Sequence, residues 1–101
     1  MDAEWRDAGT VIEIVSGKWA LAILQALESG PLRHNALRRE LGISPQALAQ
    51  NLRRLEKAGL VSREVGAGMP PAVSYALTGS APELFRVLEG LARWGRKHLA
   101  R

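Results

Sequence analysis

Apolar residues recur with helical spacing through the first half of the chain. A short first helix is predicted over residues 10–15 and a second over 18–28. The second has apolar residues almost all round, which is typical of a helix buried at the centre of a domain. Gly30-Pro31 ends it, because proline disfavours the helical conformation in the residue before it.

The middle of the chain has the pattern of two helices separated by a tight turn. We predict a helix-turn-helix over about 34–58, with one helix of about two turns, a turn at Gly42 and a longer helix that starts at Pro45. Ser44 can cap this longer helix by accepting a hydrogen bond from a free backbone N–H group.

Residues 60–77 alternate between apolar and polar positions on both sides of a loop rich in glycine and proline at 66–71. This pattern predicts a β-hairpin. A short extended piece at Leu32-Arg33 precedes the helix-turn-helix. The order of elements indicates a mostly α fold with a small β-hairpin wing (α+β), a winged helix-turn-helix, in one domain over residues 1–101.

A last helix is predicted over about 81–100, and the spacing of Ser80 and Glu83 resembles a capping box. Apolar residues cover about half of this helix, more than packing on one small domain needs. Together with the first helix, the excess predicts a two-fold dimer contact. The predicted interface residues are Val11, Ile12, Leu84, Val87, Leu88, Leu91 and Trp94. The alternative is that Val87 and Trp94 close the core of their own protomer.

The helix that starts at Pro45 has a narrow apolar stripe of Leu48, Leu52 and Leu55. Its opposite side carries amides and cations but no carboxylate. Amides can pair with adenine edges, alanine can approach a thymine methyl group, and arginine can bind guanine or phosphate. The predicted base contacts are Gln46, Ala47 and Gln50, with Arg53 as a further candidate. The predicted phosphate contacts are Ser44, Arg54 and Lys57, and Asn51 flanks the set. An ordinary solvated helix face is the alternative.

The distribution of charge supports a phosphate-binding segment. The chain has 101 residues and a net charge of +4. Residues 30–66 carry seven cations and three carboxylates, a net charge of +4, whereas residues 1–29 carry two cations and five carboxylates, a net charge of −3. A positive segment at the helix-turn-helix is a possible footprint for nucleic acid, although many charge runs are only solvated faces.

Several function classes lack the residues that they need. The chain has no cysteine, which excludes disulfides, thiol redox sensing and thiolate catalysis. The two histidines, His34 and His98, are far apart, and there is no glycine-rich phosphate loop, so we expect no metal, no cofactor and no enzyme activity. No apolar window is long enough to span a membrane and the N-terminus does not resemble a signal peptide, so a cytoplasmic location is expected.

An ordered set of short motifs runs through most of the chain. The motifs are Gly17-Lys18-Trp19, Ile23-Leu24, Gly30-Pro31-Leu32-Arg33-His34-Asn35-Ala36-Leu37, Gly42-Ile43-Ser44, Gly59-Leu60-Val61 and Pro70-Pro71. Over residues 11–95 they resemble HxlR-type winged helix-turn-helix transcriptional regulators of the MarR-like superfamily. The resemblance implies a homodimer that binds double-stranded DNA at an inverted repeat and controls transcription, commonly as a repressor.

The chain departs from this family at several positions. The N-terminal cysteine that senses oxidants in many members is absent, so their redox mechanism does not carry over. His34 replaces an aromatic residue, and Ala72 stands where an arginine often follows the wing prolines. Three roles are open for His34: a hydrogen-bond donor to phosphate, a histidine at the edge of the core, or a metal ligand. Because the wing loop has no cation, Arg63 at its base is the best remaining contact there, and Arg33 and His34 complete the predicted DNA contacts.

Two further hypotheses stay open at this point. The domain could be a winged-helix module for protein–protein interaction without specific DNA binding. A small-molecule effector could occupy an apolar pocket bordered by Trp5, Trp19 and Trp94, although tryptophans at such positions are more often part of the core.

Overall fold

A computed structural model describes residues 2–99, which form five α-helices and a small sheet. The helices are α1 (Ala3–Val15), α2 (Ala20–Ala26), α3 (His34–Leu41), α4 (Pro45–Lys57) and α5 (Ala81–His98), and a 3₁₀ turn, Leu27–Ser29, follows α2. The strands are β1 (Leu32–Arg33), β2 (Val61–Val65) and β3 (Val73–Leu77). The predicted α+β winged helix-turn-helix fold is confirmed.

The sheet joins the helix-turn-helix to the wing. Its strands lie in the order β1-β3-β2 and both pairs are antiparallel. The extended piece before α3 therefore pairs with the second strand of the wing, with Leu32 opposite Tyr75 and Arg33 opposite Ser74. As a result, the base of the wing cannot move independently of the start of α3.

The core lies between α2, α3 and α4. The largest fully buried side chains are Ile23, Leu24, Leu27, Leu37, Leu48, Leu52 and Leu55. The predicted leucine stripe of α4 is therefore confirmed. The prediction that α2 is buried all round is wrong, because Leu21 is 47% exposed. Leu21 borders a groove of about 410 Å³ that also contains Phe85 and Leu88 of α5.

The first helix begins seven residues earlier than the prediction at residue 10, since α1 starts at Ala3. The carboxylate of Asp2 accepts a hydrogen bond from the backbone N–H of Trp5 at 3.0 Å. This is an N-terminal cap, which satisfies a donor that the helix itself leaves free. The polar segment at the N-terminus therefore extends α1 by two turns.

The capping box predicted at the start of α5 is wrong. Ser80 makes no side-chain capping bond, and its hydroxyl donates instead to the carbonyl of Gly59 at 3.0 Å. The hydroxyl of Thr78 donates to the same carbonyl at 2.6 Å. Gly59 lies two residues after Lys57, the last residue of α4, with φ +78°, so these bonds tie the end of α4 to the start of α5. The predicted end of this helix at residue 100 lies outside the described residues.

A long-range hydrogen bond attaches α1 to α4. The guanidinium Nη2 of Arg54 donates to the backbone carbonyl of Glu13 at 3.0 Å. The last turn of α1 has no basic residue of its own, so Arg54 supplies both a donor and a positive charge at the carbonyl end of that helix. Arg54 therefore has a structural partner, which its sequence position did not indicate.

The protomer is elongated for its length. Its radius of gyration is 15.2 Å and its dimensions are 50 × 33 × 23 Å. A compact domain of about 100 residues has a radius of gyration of about 13 Å. Consequently, part of the apolar surface of α1 and α5 stays outside the core.

We predict that Arg54→Ala lowers the free energy of unfolding by about 1 kcal/mol, because it removes a charged hydrogen bond that is partly exposed to water. Arg53→Ala is the matched control. Arg53 lies on the same helix and is exposed, and its replacement should change stability by less than about 0.5 kcal/mol. Urea denaturation of both variants measures the difference, and equal stability would contradict the structural role of Arg54.

Candidate nucleic-acid interface

The polar face of α4 is exposed at its N-terminal half. The hydroxyl of Ser44 accepts a hydrogen bond from the backbone N–H of Ala47 at 3.2 Å, as predicted for a cap. Gln46, Gln50 and Arg53 are exposed, whereas Ala47 is half-buried and packs against the core. This face of α4 therefore presents two amides in its first half and one guanidinium in its second half, over a layer of buried leucines.

One flank of α4 faces the junction of α1 and α2. Asn51 donates from Nδ2 to the carbonyl of Ala47 at 2.8 Å, and Arg54 is bound to Glu13. A Cβ placed on Gly17 would lie 3.7 Å from both Asn51 Oδ1 and Arg54 Nη1. Of these two predicted DNA contacts, Arg54 holds the junction through its bond to Glu13, whereas the bond of Asn51 stays within α4. Their role in DNA binding stays a prediction.

Lys57 lies on the same flank, near the end of α4. It is exposed and borders a groove of about 280 Å³ together with Ile14, Arg54 and Ala58. Its position supports a contact with the edge of a DNA site, away from Gln46 and Gln50.

The opposite flank of α4 faces the sheet. Arg53 and Arg63 border one groove of about 390 Å³, together with the half-buried Glu56 and the buried Tyr75. Arg63 lies opposite Tyr75 in the strand register. The structure therefore brings together two predicted contacts that are ten residues apart in the chain, with one carboxylate beside them.

Arg33 and His34 lie at a third place, between the start of α3 and the wing. They border a groove of about 750 Å³ together with Arg39, Pro70 and Pro71. His34 is half-buried, and its ring centroid is 6.4 Å from that of Tyr75, as expected for a histidine at the edge of the core.

The wing loop exposes apolar surface rather than charge. Met69 is 94% exposed, next to Pro70 and Pro71. The loop from Gly66 to Pro71 contains no cation. Any positive charge beside the wing therefore comes from neighbouring elements.

The predicted dimer residues fall into three groups. Val11, Leu84 and Val87 border an apolar groove of about 280 Å³ between α1 and α5. Leu88 is half-buried in the groove between α2 and α5. Ile12, Leu91 and Trp94 are exposed. The alternative that Val87 and Trp94 close the protomer's own core is wrong, because each is 58% exposed.

The three tryptophans do not enclose a pocket within one protomer. Trp19 packs against the core, with the ammonium of Lys18 5.0 Å from its ring centroid. Trp5 and Trp94 are exposed, and Trp94 lies against the ring of His98 at 5.1 Å. An effector pocket bordered by these three tryptophans stays a prediction.

Residues 2–99 contain neither a metal-binding cluster nor a single helix that could cross a membrane. In that range, no group of three or more histidine, cysteine or acidic side chains is arranged to hold a metal ion. No single helix there is long and apolar enough to cross a membrane, and only the bent pair Ala3–Val15 and Ala20–Ser29, at 76°, reaches that length and composition when taken together.

Comparison with known proteins agrees with the geometry. The chain matches the HxlR-like helix-turn-helix family over residues 14–101. An uncharacterised HTH-type transcriptional regulator of Halalkalibacterium halodurans is 38% identical over 92 residues, which cover 89% of this chain and 81% of that protein.

Two solved structures have the same fold. A MarR-family transcriptional regulator from Enterococcus faecalis V583 superposes with a TM-score of 0.85 at 35% identity, covering 96% of this chain and 88% of that one. The reduced form of the redox regulator HypR superposes with a TM-score of 0.79 at 30% identity, covering 90% and 91% of the two chains. This chain therefore belongs to the HxlR-like helix-turn-helix family of transcriptional regulators.

Proposed function

We propose that this protein is a homodimeric repressor that binds an inverted-repeat operator with α4 in the major groove. The observation that carries the proposal is the exposed side of α4. It presents Gln46, Gln50 and Arg53 above a fully buried leucine stripe, and its exposed positions include no carboxylate. Such a face can approach the negative backbone of DNA and offer amide donors and acceptors to base edges.

We assign base contacts to Gln46 and Gln50, which lie in the N-terminal half of α4. A glutamine can form two hydrogen bonds with N6 and N7 of adenine. Arg53 is placed either to bind guanine or to hold a phosphate together with Arg63. The Ser44 hydroxyl uses an acceptor position for its cap, so its hydrogen is free to donate to a phosphate oxygen.

The exposed apolar surface of α1 and α5 supports a dimer. Ile12 on α1 and Val87, Leu91 and Trp94 on α5 are each 58% exposed. A two-fold interface covers the same surface on both subunits, so these residues would bury one another. Two α4 helices about 34 Å apart would then meet successive major grooves on one face of the duplex.

The repressor role follows from the family resemblance, and a dimer bound across a promoter would block transcription there. HypR, which is similar in structure, is described as a redox regulator. This chain has no cysteine, so we do not extend a thiol switch to it.

We predict that Gln50→Ala weakens binding to the operator by about 1–3 kcal/mol and relaxes sequence preference at one base pair, because a base contact is lost. Fluorescence anisotropy with duplexes from the protein's own upstream region measures this loss. Gln25→Ala is the matched control, since Gln25 is an exposed helical glutamine on α2, remote from α4 in sequence. Equal binding by the two variants would contradict the assignment.

Trp94→Glu should convert the dimer into a monomer, because it would place a charged carboxylate in an apolar interface. Sedimentation velocity distinguishes the two states. Val65→Glu is the control, because Val65 has the same 58% exposure but lies on the wing. A dimeric Trp94→Glu variant, or a wild-type protein that is already monomeric, would contradict this interface.

A further inference from the structure

We propose that Arg39 and Arg33 together bind one phosphodiester of the DNA backbone in the groove between α3 and the wing. This inference rests on the proposed function, since it assumes that the protein binds DNA. It adds Arg39 to the DNA-binding residues and explains how a wing without cations can lie against a polyanion.

The groove has two walls that the sheet holds in place. One wall is the segment from Pro31 to Ala36 with Arg39, and the other runs from Pro70 to Val73. Because β1 pairs with β3, Arg33 lies opposite Ser74, directly after the wing wall. The groove has a volume of about 750 Å³, which is large enough for a phosphate and its sugar.

The charge of the groove is positive and uncompensated. Its lining includes Arg33, Arg39 and His34 but no aspartate or glutamate. Both arginines are exposed, and within residues 2–99 neither guanidinium group has a hydrogen-bond or salt-bridge partner. Two other cationic places on the surface differ, because the guanidinium of Arg54 donates to the backbone carbonyl of Glu13 and the groove of Arg53 and Arg63 contains Glu56.

A phosphodiester fits this chemistry better than a single compact anion. Two guanidinium groups can each donate paired hydrogen bonds to phosphate oxygens. The wall of Pro70 and Pro71 offers apolar surface for the deoxyribose beside the phosphate. The groove also joins the two elements that lie against DNA in this fold, the helix-turn-helix and the wing.

The structure distinguishes two neighbouring arginines that the sequence cannot rank. Arg38 and Arg39 are adjacent, exposed and on the same helix, but only Arg39 borders the groove. Arg38→Ala therefore changes the net charge as Arg39→Ala does, without removing a groove cation. It is a matched control for nonspecific electrostatic attraction.

The test measures the affinity of the full-length protein for its upstream duplex between about 50 and 200 mM salt. Because the dimer loses one contact in each half-site, Arg39→Ala should lower the slope of log affinity against log salt by about 2 and weaken binding about 60-fold near 0.1 M salt, equally for matched and scrambled duplexes. Arg39→Lys should retain the slope because it keeps the charge. Arg38→Ala should retain both the slope and the affinity, and circular dichroism should show that every variant is folded.

A second arm locates the phosphate. Duplexes that carry one neutral methylphosphonate are tested at each position in turn against wild type and Arg39→Ala. At one position in each half-site, the neutral group should weaken wild type about eightfold and weaken Arg39→Ala clearly less, since only the Arg33 contact remains to be lost there.

Several results would overturn the proposal. Wild-type behaviour of Arg39→Ala would do so, as would an equal loss in Arg38→Ala. If inorganic phosphate stabilises wild type but not Arg39→Ala while their DNA binding is the same, the groove holds a free anion instead. Failure of the wild type to bind any duplex at low salt is a different result, because it would contradict the proposed function itself.

Discussion

The burial of three leucines on one side of α4 fixes which of the side chains of this helix face outward. Leu48, Leu52 and Leu55 are each at most 1% exposed. Full burial of a leucine side chain contributes about 1.5–3 kcal/mol, so rotation of α4 about its axis would be costly. Because the rotation is fixed, Gln46 and Gln50 must face outward. The recognition surface is thus a consequence of core packing.

Three further hydrogen bonds hold α4, one on its flank and two at its end. Arg54 connects it to the carbonyl end of α1, and the hydroxyls of Thr78 and Ser80 connect Gly59 to the start of α5. Both α1 and α5, which these hydrogen bonds connect to α4, carry exposed apolar surface. The same bonds therefore link the recognition helix to the surface that we assign to the dimer. A change at that surface has a direct physical route to the position of α4.

The sequence predicted the parts of the fold that depend on local periodicity. The leucine stripe of α4 and the cap at Ser44 are of this kind, since both depend on residues within one helix. The wrong predictions concern alternatives between which contacts of distant residues decide. Ser80 could cap α5 or donate to Gly59, and only the approach of the end of α4 selects the second bond. The early start of α1 is different, because Asp2 was a usable capping signal that the prediction passed over.

The candidate site shows the same division between local and long-range information. Helical geometry placed the glutamines and arginines of α4 on the outward side, but the neighbouring elements separate them. Gln50 faces open space, whereas Arg54 binds α1. Arg38 and Arg39 are equivalent in the sequence, and only the approach of the wing gives Arg39 a groove. Such differences depend on tertiary packing, which periodicity does not encode.

The central claim is that the exposed face of α4 recognises a DNA sequence. The most direct measurement is a titration of the wild-type protein with its upstream duplex and with a scrambled duplex of equal length and composition, across about 50–200 mM salt. The account predicts that affinity for both falls steeply with salt, by a factor of about 10³ or more if six or more phosphates are contacted, and that the upstream duplex stays the tighter partner throughout. Binding that is equal for the two duplexes, or that does not depend on salt, would contradict it.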